Sequence, residues 1–144
     1  MVQAYNFLAS WQLFPEKGTY EWGERPKSGI YKIEAGQAAK ELNIYHNWVS
    51  LENQAFASAY TIPADGDLHP FKDPQLADQA QAVFPDSISF EIHFYRKGEV
   101  VLHIIHEIMP NGYLKISLQG IREDGTAYTN TEIYHKQLSV LPYS

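Results

Sequence analysis

Cysteine is absent from all 144 residues, which excludes a disulfide framework and any zinc site built on thiolates. A metal would have to be held by histidine and carboxylate. Basic residues are scarce as well: 11 Lys plus Arg stand against 17 Asp plus Glu, a formal charge of -6, and no basic cluster overrides that total. A phosphate backbone is repelled by such a chain, so nucleic acid is not an expected partner. No stretch reaches the roughly 20 apolar residues that span a bilayer. The opening "MVQAYNFLASWQLFPEKG" has neither a basic start nor an apolar run of leader length, so the expectation is a cytoplasmic protein with no membrane span. The P-loop, dinucleotide fingerprint, nucleophile elbow and zinc signatures are all missing. What is abundant is aromatic: ten Tyr, seven Phe and three Trp against two Met, the usage of sheets more than of helical bundles. The length suits one domain, 1–144.

Strand-like alternation is clearest in the C-terminal half, where turns ending in glycine, "RKG" (96–98), "PNG" (110–112) and "EDG" (123–125), separate apolar/polar stretches. Three-residue loops at the first two set Tyr95 opposite Glu99 and Met109 opposite Tyr113. One side of the sheet then collects Ile88, Phe90, Ile92, Phe94, Val100, Leu102, Ile104, His106, Ile108, Leu114, Ile116 and Leu118. The other side collects Glu91, His93, His103 and Gln119, and pairs Glu107 with Lys115. For the last hairpin, a two-residue Asp124-Gly125 turn puts Thr129, Thr131, Ile133 and His135 on the apolar side, whereas a three-residue loop puts Tyr128, Asn130, Glu132 and Tyr134 there. The first is preferred because it buries no carboxylate.

In the first half, "SGIYKIE" (28–34), "ELNIYHNWVSL" (41–51) and "AFASAYTI" (55–62) read as strands, the last two joined by a Glu52-Asn53 turn. That turn directs Ile44, His46 and Trp48 inward, facing Ala57 and Ala59, so that small residues opposite an aromatic leave room for a ligand. One short helix is expected at 74–84, with Asp73 as N-cap, Pro74 at its first position and Pro85 beyond its end. Eight to ten strands in up-and-down order with one short helix define an all-β fold, an antiparallel barrel closed or nearly so.

The run "VVLHIIHEI" (100–108) carries two histidines and a glutamate. As a strand it sends His103 and His106 to opposite faces, so the two cannot share a metal. His106 falls on the apolar side, where it either orients a ligand or is satisfied by Tyr or Ser hydroxyls. Glu91, His93 and His103 have the types and spacing for two imidazoles and one carboxylate on a metal, yet they read as an exposed polar face, and no metal or other cofactor is expected. "DGDLHP" (65–70) reads as turn chemistry.

Phe7 and Trp11 in "FLASW" resemble the Phe-x-Gly-x-Trp element of the calycin superfamily, with Ala9 where Gly is usual, and "SGIYKIE" follows at a compatible distance. The resemblance to lipocalins and fatty-acid-binding proteins implies a barrel whose base is closed by the N-terminal segment and whose interior holds a small hydrophobic ligand. The Arg-x-Tyr carboxylate clamp of fatty-acid-binding proteins has no counterpart in "YTNTEIYHKQ", which puts fatty-acid transport in doubt. The outline is also similar to nitrobindins, which implies haem binding with His135 as the ligand.

The expected function is therefore binding of a small, mainly apolar or aromatic molecule, lipid-like in character, lined by His46, Trp48, Phe90, Ile92, Leu102, Ile104, His106 and Leu118. Two alternatives accompany it. One is an isomerase, cyclase or hydrolase acting on a lipophilic substrate through His106 or His46, with no other catalytic residue assigned; the other is haem binding of nitrobindin type.

Overall fold

A computed structural model describes residues 4–73 and 75–137. Its strands are β1 (Ala9–Leu13), β2 (Thr19–Tyr20), β3 (Ser28–Ala35), β4 (Glu41–Val49), β5 (Ala55–Pro63), β6 (Leu68–Asp73), β7 (Ala77–Asp86), β8 (Ser89–Arg96), β9 (Glu99–Ile108), β10 (Leu114–Ile121) and β11 (Ala127–Lys136), with short 3-10 turns at Tyr5–Phe7 and Pro15–Lys17. One antiparallel sheet follows the order β5-β4-β3-β1-β11-β10-β9-β8-β7-β6, with β2 added beside β11. The chain is thus an all-β, nearly closed barrel in which β5 and β6 are the two edges left unpaired. Among the described residues no helix is long and apolar enough to cross a membrane.

Alternation explains the closure. In β8, Phe90, Ile92 and Phe94 are buried between half-exposed neighbours, and in β3 Tyr31 and Ile33 do the same, the period of two that sends successive side chains to opposite faces. One end is stoppered by Phe7, which packs on Phe84 and Phe90, and by fully buried Trp11, whose Nε1–H donates to the Phe7 carbonyl at 3.0 Å.

The expected helix at 74–84 is not formed. Residues Ala77–Asp86 are strand β7, with Ala80 and Ala82 buried opposite Phe94 and Ile92; Pro74 lies outside the described residues. Alanine and glutamine favour helix intrinsically, but here small inward residues make room for the large aromatics of β8, and both edges of β7 are taken up by neighbours. Pro85, which has no N–H to give a ladder, sits where the register shifts between Val83 and Asp86.

Three hairpins also differ from expectation by one residue. The β8–β9 turn is a two-residue Lys97-Gly98 loop with both φ positive, so Arg96, not Tyr95, faces Glu99, and a bulge between Phe94 and Tyr95 then sets Phe94 opposite Leu102, where the expected register opposes it to Val100. The bulge flips the strand end, leaving Val100 42% exposed, and Ile88 lies exposed in the preceding turn. The β4–β5 loop has three residues, closed by Asn53 at φ 65, so His46 faces Ser58 and Trp48 faces Phe56, while Ala57 and Ala59 lie on the outer face opposite Asn47 and Tyr45. The last loop also has three residues, Glu123 to Gly125, and places Tyr128, Asn130, Glu132 and Tyr134 inward rather than Thr129, Thr131, Ile133 and His135. Met109 and Tyr113 do close the Pro110–Gly112 loop, and Lys115 does face Glu107.

Candidate functional site

The interior holds a cavity of about 170 Å³. Its apolar wall comes from Ile44 of β4, Leu76, Phe94 of β8, Leu102 and Ile104 of β9, and Ile116 and Leu118 of β10; its polar groups are Tyr31, His46, Ser58, Tyr60 and Glu132. All five belong to the inward parity of β3, β4, β5 and β11, so the polar wall faces the apolar one across the barrel.

Glu132 is held by two phenols: Tyr20 Oη donates to Oε2 at 2.7 Å and Tyr134 Oη to Oε1 at 2.8 Å. That pairing is why a carboxylate is tolerated inside. Burial, with the Glu132 charge adding to it, holds the Tyr20 and Tyr134 hydroxyls far above their ordinary range, so both stay protonated donors. Tyr60 is half-buried with its hydroxyl shut off from solvent; burial raises its pKa, against a lowering contact with the Tyr31 hydroxyl, and apart from that neighbour, already committed to His106, the hydroxyl meets no partner among the described residues. It sits in an aromatic cluster, edge-on to Phe71 and Phe94 at 5.7 Å each. His46 is pulled below the usual imidazole range by burial, against an opposing pull from Glu132, and therefore favours the neutral ring.

His106 is a different case. Its Nδ1 lies 2.9 Å from the Phe90 carbonyl and its Nε2 2.9 Å from Tyr31 Oη. A carbonyl only accepts, so Nδ1 carries the proton and Nε2 accepts from the Tyr31 hydroxyl. Burial lowers its pKa to about 4. Both nitrogens are committed to the fold.

Of the residues expected to line the site, His46, Leu102, Ile104 and Leu118 are brought together at the cavity. Phe90, Ile92 and His106 are packed in the surrounding core, and Trp48 stacks on Phe56 at 5.3 Å and packs tilted against His46 at 4.6 Å, without lining the cavity. His135 points outward and packs against Phe14 at 4.5 Å. Tyr31, Ser58, Tyr60 and Glu132 were not among the expected residues; a three-residue loop at 51–53 is the one change that would have found Ser58 and Tyr60.

Between the unpaired edges lies a slit of about 640 Å³ bordered by residues 57–61 of β5, 70–73 of β6, and Leu76. It shares Ser58, Tyr60 and Leu76 with the interior cavity, so the two spaces have those side chains as a common border. The turn at 65–70 is held by Asp65, which accepts from the Asp67 backbone N–H and pairs with His69 Nε2, both at 2.9 Å. These contacts hold the Asp65 carboxyl below its ordinary range. Compared with known proteins, the chain matches no family model and no curated sequence.

Proposed function

We propose that the protein binds a small, mainly apolar molecule of about one ring in size, carrying a hydrogen-bond acceptor, inside the barrel, as a calycin-like carrier or sensor. The observation that carries this reading is the Tyr60 hydroxyl, which lies on the cavity wall with no partner of good hydrogen-bond geometry among the described residues and only the committed Tyr31 hydroxyl beside it. A buried hydroxyl without a partner costs about 1–3 kcal/mol, and an acceptor on a ligand would recover it. The volume supports a compact occupant: a dry cavity of about 150 Å³ accommodates benzene, whereas a long acyl chain or a haem macrocycle needs far more room. The haem alternative also loses its ligand, since His135 is on the outer face.

Benzaldehyde and toluene serve as matched probes, similar in size but differing in the carbonyl acceptor. Amide shift changes along β4, β5, β9 and β10 should be stronger with benzaldehyde, and Tyr60→Phe should erase that preference. Tyr60→Phe should also stabilise the ligand-free protein, because it removes the unpaired hydroxyl. Leu102→Trp, which fills the cavity, should block both probes; equal binding to that variant would place the site elsewhere and end this reading.

A catalytic reading has one favouring observation, the presence of neutral-leaning His46 and Glu132 on the same cavity wall. General acid-base work there would fall to His46 and not to His106, whose nitrogens are both engaged. A turnover that survives His46→Gln would remove it.

A further inference from the structure

On the opposite side of the sheet from the cavity, Glu91 and His93 stand two residues apart on β8, and His103 stands directly across from His93 on β9. Each offers one donor atom, and the three atoms lie within 4.8 Å of one another. His103 Nε2 is 2.7 Å from Glu91 Oε1, and the two imidazole rings are stacked with centroids 3.9 Å apart at 19°. His93 Nδ1 is buried with no hydrogen-bond partner among the described residues. The site remains reachable, with the His103 and Glu91 side chains 21% and 27% exposed.

We propose that Glu91, His93 and His103 form a binding site for a divalent transition-metal ion, with zinc as the best fit. Two imidazole nitrogens and one carboxylate oxygen are a donor set suited to zinc and its neighbours, not to calcium or magnesium, which take oxygen throughout. Zinc holds such donors at about 2.0–2.2 Å in tetrahedral arrangement, which sets them roughly 3.3 Å apart. For both imidazoles to aim a nitrogen at one ion, the stacked rings must turn out of their parallel arrangement as the His103–Glu91 contact opens, a side-chain rotation on a rigid strand pair. The ion would replace the proton shared between His103 and Glu91 and would take a ring nitrogen of His93, whose Nδ1 has no partner among the described residues. A fourth position would face solvent and hold water, the arrangement of an open rather than a closed zinc site.

Gln81 of β7 is opposite His93, and Gln119 of β10 is opposite His103, so uncharged amides flank the trio on both sides. Tyr95 stacks alongside His93 at 6.4 Å. The chain has no cysteine to compete for the ion.

Calorimetric titration of the chelator-stripped full chain with zinc alone should give one site per chain, and Co²⁺ should give the visible spectrum of a four-coordinate ion. Loss of an outer hydrogen-bond partner typically costs about 10- to 100-fold in metal affinity, so His93→Ala and His103→Ala should each cost more than about 100-fold. Glu91→Gln should weaken binding less, while His69→Ala and Leu102→Trp should leave it intact. Imidazole nitrogen resonances of His93 and His103 in the unmutated protein should move on zinc addition while those of His46 and His106 stay put, a readout that needs no variant to fold. Zinc binding of equal strength in both histidine variants, movement confined to His69 or His135, or no saturable site would overturn the proposal.

Discussion

His106 shows how a single residue can be read on the right face and still be denied a functional role by its partners. Its ring is fixed by Tyr31, 75 positions away in the chain, and by a carbonyl on the adjacent strand, and neither partner is visible in "VVLHIIHEI". Because burial depresses its pKa from the ordinary 6.5 to about 4, the native state stays unprotonated where the unfolded chain takes up a proton. The sign follows directly: the unfolded state binds more protons between about pH 6.5 and 4, so stability falls as pH falls through that window and levels off below it. At about 1.4 kcal/mol for each pH unit, His106 alone removes on the order of 3 kcal/mol by pH 4, and His46 and His93, both also lowered, act in the same direction. Urea unfolding at pH 7 and pH 5 should therefore give a clear loss of stability in the wild type and a smaller loss in His106→Gln. In the native protein the His106 ring should remain neutral and Nδ1-protonated by NMR at pH 5.5; titration near 6.5 would show that the Tyr31 and Phe90 contacts are not holding it.

The elements themselves were largely legible where alternation is strict, as in Phe90–Ile92–Phe94 and Leu114–Ile116, because period-two burial is written into the residue types. Loop lengths were not. Gly125 and Asn53 supply a positive φ in either a two- or a three-residue loop, and the choice between them decides which face Glu132 and Tyr60 occupy. Glu132 faces inward because its compensating donors, Tyr20 and Tyr134, come from β2 and from the same strand, an arrangement local pattern cannot reveal. Strand β7 is illegible for the reverse reason, since its helix-forming residues are overruled by the need for small side chains opposite Ile92 and Phe94. Close packing between elements also gives a test at Gly120 of β10, where a Cβ would lie 2.5 Å from the Tyr128 hydroxyl and 2.6 Å from the ring. Tyr128 is itself packed against Trp22 and Arg122, so the ring has little freedom to withdraw. Gly120→Ala should cost about 1–3 kcal/mol, the range for overpacking, and nearly all of that cost should vanish when measured in a Tyr128→Ala background. Equal costs in the two backgrounds would mean that the ring is not what excludes the methyl group.

At the scale of the whole barrel, the sheet is paired along its path among the described residues except between β5 and β6, and that break borders the interior cavity. Ladder hydrogen bonds must break together to open any other seam, whereas the β5–β6 seam has none to break and is spanned by side chains such as Tyr60, Phe71 and Leu76. Local opening is cheapest where backbone pairing is absent, so amides on the free edges of β5 and β6 should exchange with solvent faster than those of β8, β9 and β10. On the proposed binding function, the same reasoning predicts that a ligand enters the cavity through the slit. Ala59 and Lys72 border it, one on each side, and both are exposed; because the chain has no cysteine, Ala59→Cys with Lys72→Cys creates the only two thiols. Joining them with a short bifunctional thiol reagent should slow benzaldehyde association and dissociation together while leaving its affinity nearly unchanged, and a longer reagent should slow them less. A change in affinity without a change in rates would mean that the linker distorts the cavity, and unchanged rates would mean that ligands pass through one end of the barrel and not through its side.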